Sequence, residues 1–145
     1  MDPAQRTENS VQLQARNREI VAALYKACVR GNWAAAAEML SADVLITEAG
    51  TLPFGGTYRG VEAMRGLFAK VMQSAGIIGV EGREVTSGGD WVVVLQDLIL
   101  EGAPPVRAPF VEAFRLHEGK VCEIVPYYFD PGLINAAAAR RAQAL

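Results

Sequence analysis

The sequence has few of the residues that build metal, disulfide or nucleotide sites. Of its 145 residues, two are cysteine (Cys28 and Cys122) and one is histidine (His117). Structural zinc takes four ligands and a disulfide framework needs more cysteines, so each cysteine is predicted to be a small buried apolar residue. The sequence has no Gly-x-Gly-x-x-Gly, Walker loop or Gly-x-Ser-x-Gly motif. Nucleotide, metal and serine-nucleophile chemistry are therefore disfavoured, and we expect no cofactor and no metal.

Charge of one sign and long apolar runs are also scarce. Lys and Arg number 14 against 16 Asp and Glu, so the net charge of −2 gives no general reason to bind nucleic acid. No stretch reaches the roughly 18 consecutive apolar residues that a membrane-spanning helix needs. The polar segment 1–10 lacks the apolar core of a signal peptide. We therefore expect a cytoplasmic protein that binds neither nucleic acid nor membrane.

The spacing of apolar residues predicts one domain, residues 1–145, in which helices precede strands. A fold of this order is an α+β domain with helices packed on one face of an antiparallel sheet. Residues 1–10 are predicted as a polar lead-in, 50–60 as a glycine-rich loop, and 131–145 as a short helix or a partly ordered tail. The predicted helices span 11–30, 33–40 and 61–72, and the predicted strands span 44–48, 77–86, 91–100, 106–117 and 120–129.

Strand alternation places polar side chains on the face that is predicted to meet the core. Successive side chains of a strand point to opposite faces, and one face of the fourth predicted strand is apolar except for Glu112. The same alternation puts Glu48 on the apolar face of the first strand and Gln96 on that of the third. In the last strand it puts Tyr128 and Asp130 there. Four strands thus direct polar groups toward one apolar region.

Buried carboxyl groups either find a partner or shift their pKa upward, and carboxyls with raised pKa serve general acid–base catalysis. For Glu48 or Glu112 alone, pairing with an arginine or a position at a strand end near water is the favoured interpretation. For both together, with Gln96 and Tyr128 on matching faces, a functional pocket is favoured.

Several aromatic residues are further candidates for contact with a bound molecule. Tyr25 on the first helix faces either the pocket or the flank, and the flank is the simpler interpretation. Trp33 is either a core anchor or a pocket residue, and Tyr58 belongs to a loop that either gates a pocket or is a plain turn. The candidate substrate-binding residues are Tyr25, Trp33, Phe54, Tyr58, Gln96, Phe110, Tyr128 and Asp130.

Five short segments occur in an order that resembles the SnoaL-like group of the nuclear-transport-factor-two-like superfamily, which includes ketosteroid isomerase. The similarity runs from about residue 16 to residue 133. It implies a cone-shaped α+β barrel, in which a strongly curved antiparallel sheet packs on helices around a pocket, commonly as a homodimer. The segments are Val29–Trp33, Asp43–Glu48, Leu52–Gly60, Phe114–Lys120 and Pro126–Asp130.

The resemblance also implies roles for individual residues. Glu48 falls where ketosteroid isomerase has its general-base aspartate, and Glu112 falls where that enzyme has the protonated aspartic acid of its oxyanion hole. Leu24 stands at the position of the oxyanion-hole tyrosine, with Tyr25 next to it. The Asp-Arg-Asp arrangement of limonene-epoxide hydrolase is not evident, since Asp97 falls on the opposite face.

Two functional hypotheses remain, because the superfamily includes enzymes and binding modules alike. The first is an enzyme that performs isomerisation, cyclisation or dehydration on an apolar carbonyl or polyketide-like substrate without a cofactor. The second is a non-catalytic module for ligand binding or dimerisation. Under either hypothesis we expect a homodimer built on the outer face of the sheet, which carries several apolar residues. They are Val93, Leu95, Ile99, Val111 and Ala113.

Overall fold

The computed structural model describes residues 1–144, over which it has four helices and six strands. The helices are α1 (Pro3–Val29), α2 (Trp33–Glu38), α3 (Val61–Ser74) and α4 (Pro131–Gln143). The strands are β1 (Leu40–Glu48), β2 (Gly56–Arg59), β3 (Ile77–Gly88), β4 (Trp91–Leu100), β5 (Val106–His117) and β6 (Lys120–Tyr128). The predicted α+β class is confirmed, and β4 and β5 have the predicted bounds.

All six strands form one curved, unclosed sheet in the order β2-β1-β6-β5-β4-β3. Its neighbouring strands are antiparallel except for β1 and β6, which run parallel with Ile46 opposite Ile124. The expectation of a wholly antiparallel sheet is therefore wrong at this pair. The register between β3 and β4 shifts between Gly82 and Glu84, and a bulge of this kind increases the local twist and bends the strand.

The helices pack on the sheet and bury its inner face. Helix α1 contacts β3 and β4, and α3 contacts β1, β2 and β3. The predicted alternation is confirmed in β5, where Ala108, Phe110, Phe114 and Leu116 are buried. Cys28 is buried as predicted, whereas Cys122 is half-buried. No helix within residues 1–144 is long and apolar enough to cross a membrane.

Several element boundaries differ from the sequence-based expectation, and the start of α1 differs most. Helix α1 begins at Pro3, within the predicted lead-in 1–10, because the Asp2 side chain accepts a hydrogen bond from the Ala4 N–H and proline suits the first turn of a helix. Its first turns are solvent-exposed and carry no apolar periodicity, which is why the spacing of apolar residues did not reveal them.

The predicted loop 50–60 contains strand β2, which pairs with β1 through Tyr58 opposite Ile46. A four-residue edge strand buries too little to leave an alternating pattern. Of the two alternatives for 131–145, a helix is confirmed as far as Gln143, and residue 145 lies outside the described residues.

Candidate active site

A cavity of about 140 Å³ lies between the inner face of the sheet and helices α1 and α3. Four residues of its wall carry polar side-chain atoms, and the others are apolar. The polar residues are Tyr25, Glu48, Glu112 and Tyr128. The apolar residues are Ile46, Met64, Leu67, Phe68, Val71, Met72, Ile77, Val80, Leu98, Phe110 and Ile124.

The two candidate catalytic carboxyl groups enter this cavity from different strands. Glu48 is the last residue of β1, and Glu112 lies in the middle of β5, opposite Pro126 of β6 and Val94 of β4. Their positions follow from strand alternation, which puts each on the face that packs against the helices. The structure thus brings both into one apolar cavity, as the sequence predicted.

Glu112 is held by hydrogen bonds from α1 and β4. The Tyr25 hydroxyl donates to Glu112 Oε1, and Gln96 Nε2 donates to the Tyr25 hydroxyl oxygen at 2.5 Å. Gln96 Nε2 also donates to Glu112 Oε1 at 3.3 Å. The Tyr25 ring packs edge to face on Phe114, with centroids 5.5 Å apart. Tyr25 therefore faces the cavity rather than the flank of the helix.

Burial controls the protonation of this cluster. Desolvation raises the pKa of Glu112, and the hydrogen bonds from Tyr25 and Gln96 only partly oppose that shift. Desolvation and the charge of Glu112 raise the pKa of Tyr25, so its hydroxyl keeps its proton and remains a donor. The arrangement favours a neutral carboxylic acid at Glu112.

Glu48 is 6% exposed, and its Oε2 is buried without a hydrogen-bond partner among the described residues. Desolvation, followed by the charge of Glu112, raises the pKa of Glu48 to about 8, and a hydrogen bond from Tyr128 partly opposes the rise. Glu48 therefore ionises near physiological pH and keeps one oxygen free, as a general base requires.

Among the candidate binding residues, Phe110 and Tyr128 also line the cavity. Their rings stack with centroids 5.5 Å apart and an interplanar angle of 12°. This pair forms a flat apolar wall contributed by neighbouring positions of β5 and β6. Gln96 is absent from the cavity wall and acts from behind it, through Tyr25 and Glu112.

Three aromatic candidates lie outside the cavity. Phe54 is fully buried in the core, where its ring packs edge to face on Tyr128. The Tyr58 hydroxyl donates to the Phe54 carbonyl oxygen at 2.8 Å, so it holds the loop rather than reaching the cavity. Trp33 packs edge to face on Phe68, a residue of the cavity wall, but does not itself line the cavity.

Asp130 also lies outside the cavity, which corrects its assignment to the pocket face. It is exposed, and its Oδ1 accepts a hydrogen bond from the Gly132 N–H at 2.9 Å. Strand β6 ends at Tyr128, so alternation no longer governs the direction of this side chain. Asp130 is the N-cap of α4.

The sequence-based reasoning missed the helical wall of the cavity and a buried ion cluster on the outer face. Met64 and Leu67 were visible only as part of an apolar helical stripe, which a core helix shows as well. Asp97 is on the outer face as predicted, but it is 1% exposed and accepts hydrogen bonds from Arg83 Nε at 2.8 Å and Arg107 at 3.0 Å. These hydrogen bonds outweigh its desolvation and lower the pKa of Asp97.

Comparison with known proteins agrees with this architecture. The sequence pattern of the SnoaL-like domain matches residues 21–124. The chain belongs to the SnoaL-like family. No protein of curated function matches this SnoaL-like chain significantly.

Solved structures share the fold of this SnoaL-like protein at low sequence identity. Bal32a, from a soil-derived mobile gene cassette, has a TM-score of 0.76 at 18% identity, over 86% of this chain and 98% of that one. An NTF2-like protein from Burkholderia xenovorans LB400 has a TM-score of 0.71 at 21% identity, over 86% and 97%. A protein with a ketosteroid isomerase-like fold from Catenulispora acidiphila, solved with trimethylamine, has a TM-score of 0.65 at 22% identity, over 83% and 92%.

Proposed function

We propose that this SnoaL-like protein is an enzyme that moves a proton on an apolar carbonyl or polyketide-like compound without a cofactor. The observation that carries the proposal is the meeting of two carboxyl groups, Glu48 and Glu112, in one apolar cavity. Their surroundings differ: Glu48 keeps an unpartnered oxygen, whereas Glu112 is held by Tyr25 and Gln96. Two carboxyls in different surroundings suit two different roles, base and hydrogen-bond donor.

Glu48 is the proposed general base. Its carboxylate removes a proton from the carbon next to the substrate carbonyl, and the electron pair of that C–H bond moves to the carbonyl oxygen as an enolate. A carboxyl whose pKa is about 8 is a stronger base, once ionised, than an ordinary glutamate. The protonated Glu48 then returns the proton to the same carbon or to another one.

Glu112 is the proposed donor to the enolate oxygen. Tyr25 and Gln96 both donate to Oε1 of Glu112, so Oε2 is the oxygen that carries the proton of the neutral acid. That O–H stabilises negative charge on the substrate oxygen within desolvated surroundings, where such a hydrogen bond is strongest. Tyr25 and Gln96 are positioning residues in this scheme, because they act through Glu112.

Isomerisation, aldol-type cyclisation and dehydration all pass through this enolate, so the same two roles serve each of them. Exchange of α-protons in D2O tests the common step directly. We expect a panel of small ketones to lose α-proton signals in the NMR spectrum faster with the unaltered protein than with Glu48→Gln. Equal exchange rates for the two proteins across the panel would contradict the proposal.

A non-catalytic ligand-binding module is the second candidate function. The specific observation in its favour is that the Catenulispora acidiphila protein of the same fold holds trimethylamine in its crystal structure. An amine has no acidic α-proton of the kind that the proposed base removes. Ligand binding without any α-proton exchange in the D2O experiment would favour this candidate.

We also propose that the protein forms a homodimer through the outer face of its sheet. Leu95 there is 38% exposed, Tyr127 is 62% exposed and Phe129 is 85% exposed. An exposed apolar patch of this kind on a sheet face suits a protein–protein interface.

A further inference from the structure

We infer that the cavity binds an uncharged ligand whose buried part is no larger than a single six-membered ring. This ligand class is the substrate class only if the proposed function holds, whereas binding itself depends on the size and charge of the cavity alone. The class excludes fused polycycles, carboxylates, phosphates and organic cations.

The limit on the size of the ligand follows from the volume of the cavity and from the residues that form its walls. The cavity measures about 140 Å³, and an internal protein cavity of about 150 Å³ holds one benzene molecule. On one side α3 contributes Met64 and Leu67, and on the other side the sheet contributes Leu98 and Phe110. Since packed interiors resist expansion, a fused polycycle enters only if α3 moves away from the sheet.

The cavity opens between the end of α3 and β3. Met72 and Val80 line it there, and they are the most exposed apolar residues of its wall, at 38% and 48%. A flexible chain attached to the ring therefore projects into solvent at this mouth. The ring itself lies deeper, where Leu67 and Leu98 are buried.

The charge limit follows from what the wall contains. Among the wall residues that the structure describes there is no lysine, arginine or histidine, so an anionic ligand loses its hydration without gaining an opposite charge. Glu48 and Glu112 add repulsion whenever either is ionised. The apolar wall removes the hydration of a cation as well, and desolvation raises the pKa of Glu48 and of Glu112, which opposes formation of the carboxylate that a cation needs.

The polar groups select one acceptor on the ligand. A neutral Glu112 offers one O–H, whereas the Tyr25 hydroxyl beside it is committed to Glu112 and the Tyr128 hydroxyl to Glu48. A ring with a single carbonyl oxygen satisfies that donor and leaves the rest of the ligand to the apolar wall. A compact cyclic ketone or enone meets all these requirements.

A series of three six-membered-ring compounds tests the charge limit by calorimetry on the full-length protein at pH 7. The probes are cyclohexanone, cyclohexanecarboxylate and cyclohexylammonium, which share a ring and differ in charge. We expect cyclohexanone to bind at least tenfold more tightly than either ion. Tighter or equal binding of the carboxylate or of the ammonium overturns the inference, and so does a lack of cyclohexanone binding at millimolar concentration.

A fused bicycle, 2-decalone, tests the size limit. We expect it to bind more weakly than cyclohexanone to the unaltered protein and to gain at least tenfold in affinity with Met64→Ala, which enlarges the cavity. Met64→Val serves if the alanine variant does not fold, and Met39→Ala, at a core methionine outside the cavity wall, is the matched control without a gain. Decalone binding as tightly as cyclohexanone to the unaltered protein overturns the size limit.

Measuring α-proton exchange of cyclohexanone in the same samples separates the two proposals. Binding with exchange supports both of them. Binding without exchange supports the ligand class and contradicts the proposed function. Exchange of the α-protons of 2-decalone, without exchange of those of cyclohexanone, supports the proposed function and overturns the ligand class.

Discussion

The Tyr25 hydroxyl donates a hydrogen bond to Oε1 of Glu112, which lies 87 residues further along the chain. This bond joins the first helix to the middle of β5 at the cavity wall, and Gln96 of β4 donates to both partners. Because the two donors occupy Oε1, they leave the other oxygen of Glu112 to a ligand. The orientation of the proposed donor thus depends on a residue that does not itself give a proton to the substrate.

Replacing Tyr25 by Phe removes this bond and leaves the ring in place. We expect the free energy of unfolding to fall by about 1–3 kcal/mol, the cost of a lost buried hydrogen bond. We expect turnover to fall by about 10–10²-fold, less than the 10²–10³ of a direct oxyanion donor. Since the bond lowers the pKa of Glu112, its loss should also move the alkaline limb of the pH–rate profile upward. An unchanged profile would indicate a structural role alone.

Glu48→Gln and Glu112→Gln distinguish the base from the donor. The amide of Glu48→Gln keeps the shape but takes up no proton, so turnover should fall by about 10²–10⁴ while the fold is retained. Glu112→Gln should be milder, because an amide still donates a hydrogen bond. Steady-state kinetics with circular dichroism as the folding control measures both. Full activity of Glu48→Gln would contradict the mechanism.

The pH dependence of turnover follows from the pKa of Glu48. The base acts only when ionised, and its pKa is about 8, so activity should rise tenfold per pH unit below that value and level off above it. Because the mechanism needs a protonated Glu112, activity should fall once the pH passes the raised pKa of that carboxyl. Initial rates measured at roughly half-unit intervals between pH 5 and pH 10 test this pH dependence. A profile that is already flat at pH 6 would exclude Glu48 as the base.

The free energy of unfolding should fall as the pH rises, whereas activity should increase over the same range. The pKa of Glu48 rises from its ordinary 4.5 to about 8 on folding, so the folded state binds more protons than the unfolded state in this range. Its contribution to the free energy of unfolding is therefore complete below pH 4.5 and is lost as the pH rises to about 8. The loss is on the order of a few kcal/mol. Urea unfolding at several pH values measures the decline. Glu48→Gln should reduce the decline to the part that the raised pKa of Glu112 contributes, whereas Asp43→Asn on the same strand should leave it unchanged.

The proposed dimer predicts a change of mass upon a single substitution. Leu95→Arg places a charge within the exposed apolar patch of the outer face, which should convert the dimer into a species near the 15.6 kDa of one chain. Val11→Arg is the control, since Val11 is 62% exposed on α1, away from that face. Sedimentation at micromolar concentration checks both variants. A monomeric unaltered protein would contradict the proposal.

The alternation of β4 and β5 could be predicted from the sequence because each strand is long enough for a period of two to be visible. Both were predicted with their observed bounds, Trp91–Leu100 and Val106–His117. The residues on the inner face of both strands, which include Gln96 and Glu112, could therefore be assigned from the sequence. The family resemblance likewise predicted a curved sheet on helices, because it rests on the order of segments rather than on any single contact.

The local alternation of apolar and polar residues did not reveal where strands end or which strands pair. Asp130 follows the parity of β6 in the sequence, yet it caps α4, because the strand ends two residues earlier. Strand β2 left no pattern, since its pairing with β1 depends on the backbone. The parallel pairing of β1 with β6 joins segments far apart in sequence and has no local signal.

The sequence by itself therefore determined which residues share a strand face, since side-chain direction repeats every two residues whatever the strand packs against. Only the tertiary structure decided which of those residues meet. The buried side of α1 is wide enough to include both Leu24 and Tyr25, and the helix packs so that Leu24 enters the core and Tyr25 reaches Glu112. The size of the cavity was decided in the same way, by the distance at which α3 settles on the sheet, and that distance depends on side chains from every element that surrounds it.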